Sequence, residues 1–258
     1  MKRIIGSVGL LGLLALLVVG CSHRVAETAP SERDIITNSV GMKLVLIPAG
    51  TVKRSDLSGE PSASFAKGLD RITVSKPFYL QTTEVTQGQW KSVMGYNPSY
   101  HIYCGDDCPV EQVTWKEVRE FIRRLNQLEG TDKYRLPSET EWQYACYTGS
   151  AIEPSSGDKI SDYEKHGQDS PQSARESRPV GQGRPDAWGL HDMHGYLWEW
   201  CQQALKPSAD TPGVLLGGSP SCGTRMEPSV GRSKVAGMPG SYPEIRSNRF
   251  GVRVAKGY

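Results

Sequence analysis

An α+β arrangement of short helices, small sheets and much irregular chain is encoded here, and three features of the sequence say so. Glycine and proline are abundant, 28 and 17 of 258 residues, which demands many turns and leaves room for only modest regular structure. The pairs Thr86…Gln89, Thr114…Glu117 and Ser138…Glu141 match the pattern in which two side chains three residues apart satisfy each other's backbone donors at a helix start. Short runs rich in β-branched residues and bounded by turn formers supply the strands.

Residues 1–20 read as an export signal, with Lys2 and Arg3, an apolar run from Leu10 to Val19, and then Val18-Val19-Gly20-Cys21. The run is too short for a spanning helix, and a small residue before a cysteine fits lipoprotein processing. Cys21 is therefore expected to become the lipidated N-terminus. Ser22, in place of an aspartate, points to an outer-membrane lipoprotein facing the periplasm. Residues 21–37 are polar and aperiodic, a flexible tether. Neither a repeat nor a linker interrupts residues 38–258, which are expected to form one domain.

Strands are expected at Lys43–Ile47, Arg71–Val74 and Phe250–Val254, and helices after the pairs Thr86…Gln89, Thr114…Glu117 and Ser138…Glu141. The middle helix is the clearest. Trp115, Val118, Phe121, Ile122, Leu125 and Leu128 form one stripe, Gly130 is placed to stop it, and Lys116, Arg119, Glu120, Arg123 and Arg124 cover a solvated face. Residues 150–177 hold hardly an apolar side chain and read as a long surface loop.

Of the 30 Lys and Arg, only Lys2 and Arg3 leave with the signal, and no acid does, so 28 basic residues face 28 acidic ones in the mature chain. That balance offers no basic footprint for nucleic acid. The lipid, not a charged face, is expected to hold the chain to the membrane. No Gly-x-Ser-x-Gly, phosphate-cradling loop or zinc-protease helix is present.

Four motifs in collinear order carry a resemblance. They are Thr83-Glu84-Val85-Thr86-Gln87-Gly88-Gln89-Trp90, Tyr134-Arg135-Leu136-Pro137-Ser138-Glu139-Thr140-Glu141-Trp142, the stretch from Asp186 to Trp200 ending Trp198-Glu199-Trp200, and Gly217-Gly218-Ser219. From about Asn38 to the C-terminus the chain resembles the sulfatase-modifying-factor family, whose best-known member is the formylglycine-generating enzyme. The resemblance implies a C-type-lectin-like α+β domain with scattered helices, small antiparallel sheets and irregular loops.

It also implies a chemistry. In the enzymes, two cysteines shortly after Gly-Gly-Ser hold a copper ion that activates dioxygen to oxidise a substrate cysteine. Cys222 stands at the first position, Glu227 at the second, and Gly223 where a histidine usually follows. A carboxylate is too hard a ligand to replace a thiolate on cuprous ion, so copper is not expected. Cys222 would be catalytic only if oxidase chemistry survives with another ligand. The family also keeps a structural calcium near the Trp-Glu-Trp stretch, helped by an asparagine whose place Tyr196 takes. Calcium wants six or more oxygens, so Glu199 is expected to serve as a buried hydrogen-bond acceptor in preference to a calcium ligand.

His191 and His194 would share a helical face, yet His194 sits where the family ordinarily keeps a histidine, and a structural role outweighs metal binding. The six tryptophans are expected to be buried, with indole N–H groups meeting carboxylates, and to stand apart from one another. Five cysteines follow Cys21. Cys104 and Cys108 can close a tight turn, a bridge whose short loop contributes roughly 2 kcal/mol at best, while the pairing of Cys146, Cys201 and Cys222 is left open. The functional expectation is a non-catalytic envelope lipoprotein that binds a protein or peptide partner. A formylglycine-generating oxidase is the alternative.

Overall fold

The computed structural model describes residues 34–53, 71–151, 177–193, 195–203, 213–217, 225–226 and 244–258. In chain order the elements are β1 (Ile35–Thr37), β2 (Lys43–Ile47), β3 (Gly50–Lys53), β4 (Arg71–Val74), β5 (Phe78–Gln81), α1 (Gln87–Met94), α2 (Trp115–Leu128), β6 (Tyr134–Arg135), α3 (Glu139–Ala151), β7 (Trp198–Cys201), β8 (Val214–Gly217), β9 (Arg225–Met226), β10 (Phe250–Val252) and β11 (Ala255–Gly257), with a 3-10 turn at Ile102–Cys104.

Three sheets result. One has the order β1-β2-β5-β11-β6, a second β10-β7-β8-β9, and β3 pairs with β4 alone. All pairings are antiparallel except β10 with β7, which runs parallel with Phe250 opposite Trp198 and Val252 opposite Trp200. This one pair departs from the expected all-antiparallel sheets. Its cause lies in the C-terminal run, expected as a single strand over Phe250–Val254 but divided between two sheets, with β11 antiparallel to β5 and β6.

Both central sheets are covered on two sides, as strand alternation shows. Leu44 joins a core with Trp90, Phe121, Trp200, Val252 and Val254, whereas Val45 and Ile47 enter a second core with Trp142, Cys201, Leu216 and Ala255. In β8, Leu215 belongs to the first core and Val214 and Leu216 to the second.

The three helix starts are capped as their sequences require. Thr86 and Gln89, Thr114 and Glu117, and Ser138 and Glu141 each exchange reciprocal side-chain-to-backbone bonds. In α2, Trp115, Val118, Phe121 and Leu125 are buried, Ile122 is half-buried, and Leu128 is 55% exposed because it lies in the final turn, past the rim of the core. Gly130 ends the helix at φ +62°, its N–H donating to Gln127 and that of Thr131 to Asn126, a closure that the left-handed glycine makes available.

Trp90 stacks on Phe121 at 4.8 Å and so joins α1 to α2. The expectation that tryptophans meet carboxylates holds for Trp142 alone among those with an indole bond shown. Trp200 donates to the Val113 carbonyl, Trp188 to the Thr148 hydroxyl, and Trp90 Nε1 is buried with no partner among the described residues. Nor do they all stand apart, since Trp115 and Trp200 are in contact at 5.7 Å. Aromatic packing area outweighs a missing hydrogen bond at these sites.

Candidate functional site

The strongest electrostatic feature is a charge cluster in the interior. Arg253 follows β10 and is fully buried. Its Nε donates to both oxygens of Glu199 at 3.1 and 3.0 Å, and one terminal nitrogen donates to Glu199 Oε1 at 2.9 Å. The guanidinium also donates to the carbonyls of Gln81 (3.1 Å) and His191 (2.8 Å). Trp142 Nε1 completes the carboxylate with a bond of 2.7 Å to Glu199 Oε2. Arg253 thereby joins β5, β7 and the turn at residue 191, and Glu199 links the same cluster to α3. A buried arginine is tolerated only with such complete pairing.

Glu199 is thus placed as a buried acceptor engaged by donors on both oxygens. That donor set does not present the carboxylate to a calcium ion, which would compete with a guanidinium for the same atoms. Tyr196, in the place of the family's asparagine, is buried at φ +108°, unusual for a bulky residue. Its hydroxyl accepts from the Arg178 N–H (2.7 Å) and donates to the Arg178 carbonyl (2.5 Å). It therefore fastens the strand of chain after residue 176 to the turn, and burial pushes its phenol up to about 12.

The turn itself is built by Asp186. Its Oδ1 accepts from the backbone N–H groups of Trp188 and Leu190, both at 2.9 Å. Burial nevertheless raises the carboxyl to about 6. Residues 191–193 form a bend, not the helical face supposed from the histidine spacing, and His191 bonds through Nδ1 to the Gly183 carbonyl at 2.9 Å. Asp192, at φ +60°, accepts from Gly181 N–H and lies 3.6 Å from Arg178.

Glu84, between β5 and α1, is the least compensated group here. It is fully buried, neither carboxyl oxygen has a hydrogen-bond partner among the described residues, and the nearest cation, Arg253, is 4.0 Å away. Burial pushes its carboxyl well above the ordinary carboxylate range, the charge of Asp192 adds to that, and Arg253 opposes it. Sequence reasoning missed Glu84, Asp186, Asp192 and Arg253. Two charged residues inside otherwise apolar or β-branched runs, Glu84 before Val85 and Arg253 between Val252 and Val254, were the available signal.

A second feature is at the surface. Cys104 and Cys108 are joined, as expected, with Cα atoms 5.9 Å apart. The bridged loop caps α1, because the free N–H groups of Gln87 and Gly88 donate to the carbonyls of Cys108 (2.8 Å) and Asp106 (2.9 Å). Lys91 adds an ion pair to Asp106 at 2.6 Å. Beneath the loop Gln87 bonds to Asn97 and to the His101 carbonyl, and Glu111 accepts from the His101 N–H. Held out by this frame are Tyr100, 69% exposed, Ile102, 49%, and Tyr103, fully exposed.

Of the other cysteines, Cys146 is disulfide-bonded and Cys201 carries a free buried thiol whose pKa burial drives upward. Cys21, His194, Cys222, Glu227 and residues 152–176 of the loop expected over 150–177 lie outside the described residues, and residues 150 and 151 belong to α3 instead of that loop. The chain leading toward Cys222 leaves β8 at Gly217, which is paired with Trp198. A side chain there would meet the Leu197 carbonyl and the Trp142 ring at 3.2 Å, at φ +80°. That approach suits glycine.

Comparison with known proteins agrees with this architecture. The model of the sulfatase-modifying factor enzyme 1-like domain matches residues 33–258. The chaperone protein LppX of Paenibacillus barcinonensis is 26% identical over 212 residues, covering 63% of this chain and 72% of that protein. A formylglycine-generating enzyme of Streptomyces coelicolor is 27% identical over 57% of this chain, and an inactive Cα-formylglycine-generating enzyme 2 of Bos taurus 24% identical over 58%. The matches span 52% and 50% of those two proteins. Among solved structures, Treponema denticola variable protein 1 aligns with a TM-score of 0.65 at 22% identity, over 87% of this chain and 99% of its own. PvdO from Pseudomonas aeruginosa aligns at 0.62 and 20%, over 90% and 100%. The collinear motifs, the mixed α+β architecture and a family match over nearly the whole described region lead to one assignment: this chain belongs to the sulfatase-modifying factor enzyme 1-like family.

Proposed function

We propose that this chain is a non-catalytic envelope lipoprotein of the family, anchored through Cys21 at the outer membrane and facing the periplasm, which binds a protein or peptide partner. The observation that carries the reading is the aromatic ridge. Water does not favour Tyr100, Ile102 and Tyr103 standing exposed together in the segment that leads into the Cys104–Cys108 bridge, and exposed aromatic side chains grouped in this way are usual anchors of protein interfaces. The ligand count gives further support, since Cys222 has Glu227 in place of the second thiolate. Relatives named as a chaperone protein and as an inactive enzyme are consistent with it.

The test has two arms. A cysteine-containing sulfatase peptide, incubated with the protein, copper and reductant, should gain no aldehyde. Photo-crosslinking in whole cells should trap a defined envelope protein with the wild type and not with a Tyr100→Ser/Tyr103→Ser variant of unchanged circular dichroism. Aldehyde that appears and is abolished by Cys222→Ala would replace this reading with the oxidase one, which similarity to the Streptomyces enzyme supports.

A further inference from the structure

The region around Glu84 is organised as a seam. Gln81 N–H donates to the Val254 carbonyl (2.8 Å), Val85 N–H to the Val252 carbonyl (2.9 Å), and His191 N–H to the Thr82 carbonyl (2.8 Å). Residues 81–85 are thereby clamped between the C-terminal strands and the turn at 191. Glu84 sits inside that clamp. The ionisable groups facing it are Arg253 from the C-terminal strands, Asp192 and Tyr196 from the turn and its continuation, and Glu199 from β7.

The donors of Arg253 are already committed to Glu199 and to the carbonyls of Gln81 and His191. At 4.0 Å no hydrogen bond reaches Glu84. Were Glu84 ionised, it would share the Arg253 guanidinium with Glu199, beside an Asp192 whose own cation, Arg178, is 3.6 Å away, and the buried carboxylate would have no hydrogen-bond donor among the described residues. Burying an ionised carboxylate without hydrogen bonds is among the most expensive arrangements available to a protein, and taking up a proton relieves it. The same segment holds a buried acceptor in need of a donor, Gln81 Oε1.

We propose that Glu84 is held in the native protein as an uncharged, proton-bearing acid, and that its ionisation is a pH-sensitive latch on the seam joining residues 81–85 to the C-terminal strands and the turn at 191. The native state then binds a proton that the unfolded chain releases at lower pH. The stabilisation is complete below the unfolded carboxyl's pKa and is lost as pH rises toward that of the buried acid.

The experiment compares the full chain with Glu84→Gln, the isostere of the protonated acid. The infrared difference spectrum at neutral pH should show the carbonyl band of a protonated carboxyl present in the wild type and missing from the variant, while Asp186 and Glu111 cancel. In urea titrations between pH 5 and 9, the unfolding constant of the wild type should rise relative to the variant by up to tenfold per pH unit. A null difference spectrum or parallel pH profiles overturns the proposal. Should Glu84→Gln fail to fold because its second amide N–H finds no acceptor, Glu84→Leu takes its place in both measurements with the same outcomes decisive.

Discussion

Replacing Arg253 by methionine tests the central claim about the interior, that one arginine and its partner Glu199 hold four elements together. Methionine keeps most of the side-chain volume, so cavity formation is a small part of the effect. What it removes is the ion pair to Glu199 and the donors to the Gln81 and His191 carbonyls. Stripping one partner from a buried pair costs about 3–5 kcal/mol because the other charge is left uncompensated. Each carbonyl left without a donor adds about 1 kcal/mol or more. A loss of at least about 4 kcal/mol is therefore expected, on the order of a thousandfold in the unfolding constant and a large share of a typical domain's stability. Urea unfolding followed by tryptophan fluorescence measures it, with an unchanged m-value as the sign that both end states are preserved. The double variant Arg253→Met/Glu199→Leu should regain much of the loss, since no unpaired charge remains. A single-variant effect below about 1 kcal/mol, or a double variant as poor as the sum of the singles, would refute the reasoning.

Three further outcomes follow from other parts of the molecule. Cys21→Ser should abolish labelling by a palmitate analogue and release the protein from the membrane fraction, and label retained by the variant would contradict lipidation at that residue. Joint replacement of Cys104 and Cys108 by serine should lower stability by no more than about 2 kcal/mol while speeding hydrogen exchange at the Gln87 and Gly88 amides, which the bridged loop covers. Asp186→Asn keeps the acceptor for Trp188 and Leu190 and removes the titration. Because the folded carboxyl is raised to about 6, wild-type stability is full below the unfolded pKa and falls as pH rises through about 6. The variant should escape that fall, worth up to about 3 kcal/mol before discounting for the side chain's partial exposure.

The parts of the fold that could be read from the sequence are those set by local rules. Capping pairs marked all three helix starts because the hydroxyl and its partner are three residues apart in the chain as well as in space. The same holds for β2 and β4, whose alternation and flanking turn residues are local, and for Cys104 and Cys108 with their short intervening turn. What could not be read depends on distant residues meeting. The division of Phe250–Val254 into β10 and β11 follows from where Glu199 and Trp142 lie, and Arg253 was hidden because an arginine inside a valine-rich run looks like the exposed side of a strand. Tyr196 was recognised as a substitution for asparagine, yet its use as an anchor for Arg178 depends on a backbone at φ +108° that no sequence rule assigns to tyrosine.

This division bears on how the scaffold and the chemistry of the family separate. The frame of Arg253, Glu199 and Trp142 is closed on itself: each charge meets an opposite charge, and the indole fills the remaining carboxylate position. Its bonds run among these three side chains and to the carbonyls of Gln81 and His191. A change at Arg253 or Glu199 alone would strand a buried charge. The Cys104–Cys108 loop, secured by its own disulfide and by the N-terminus of α1, and the exposed Tyr100–Tyr103 segment before it lie outside that interior frame, so a change at these tyrosines leaves its bonds in place.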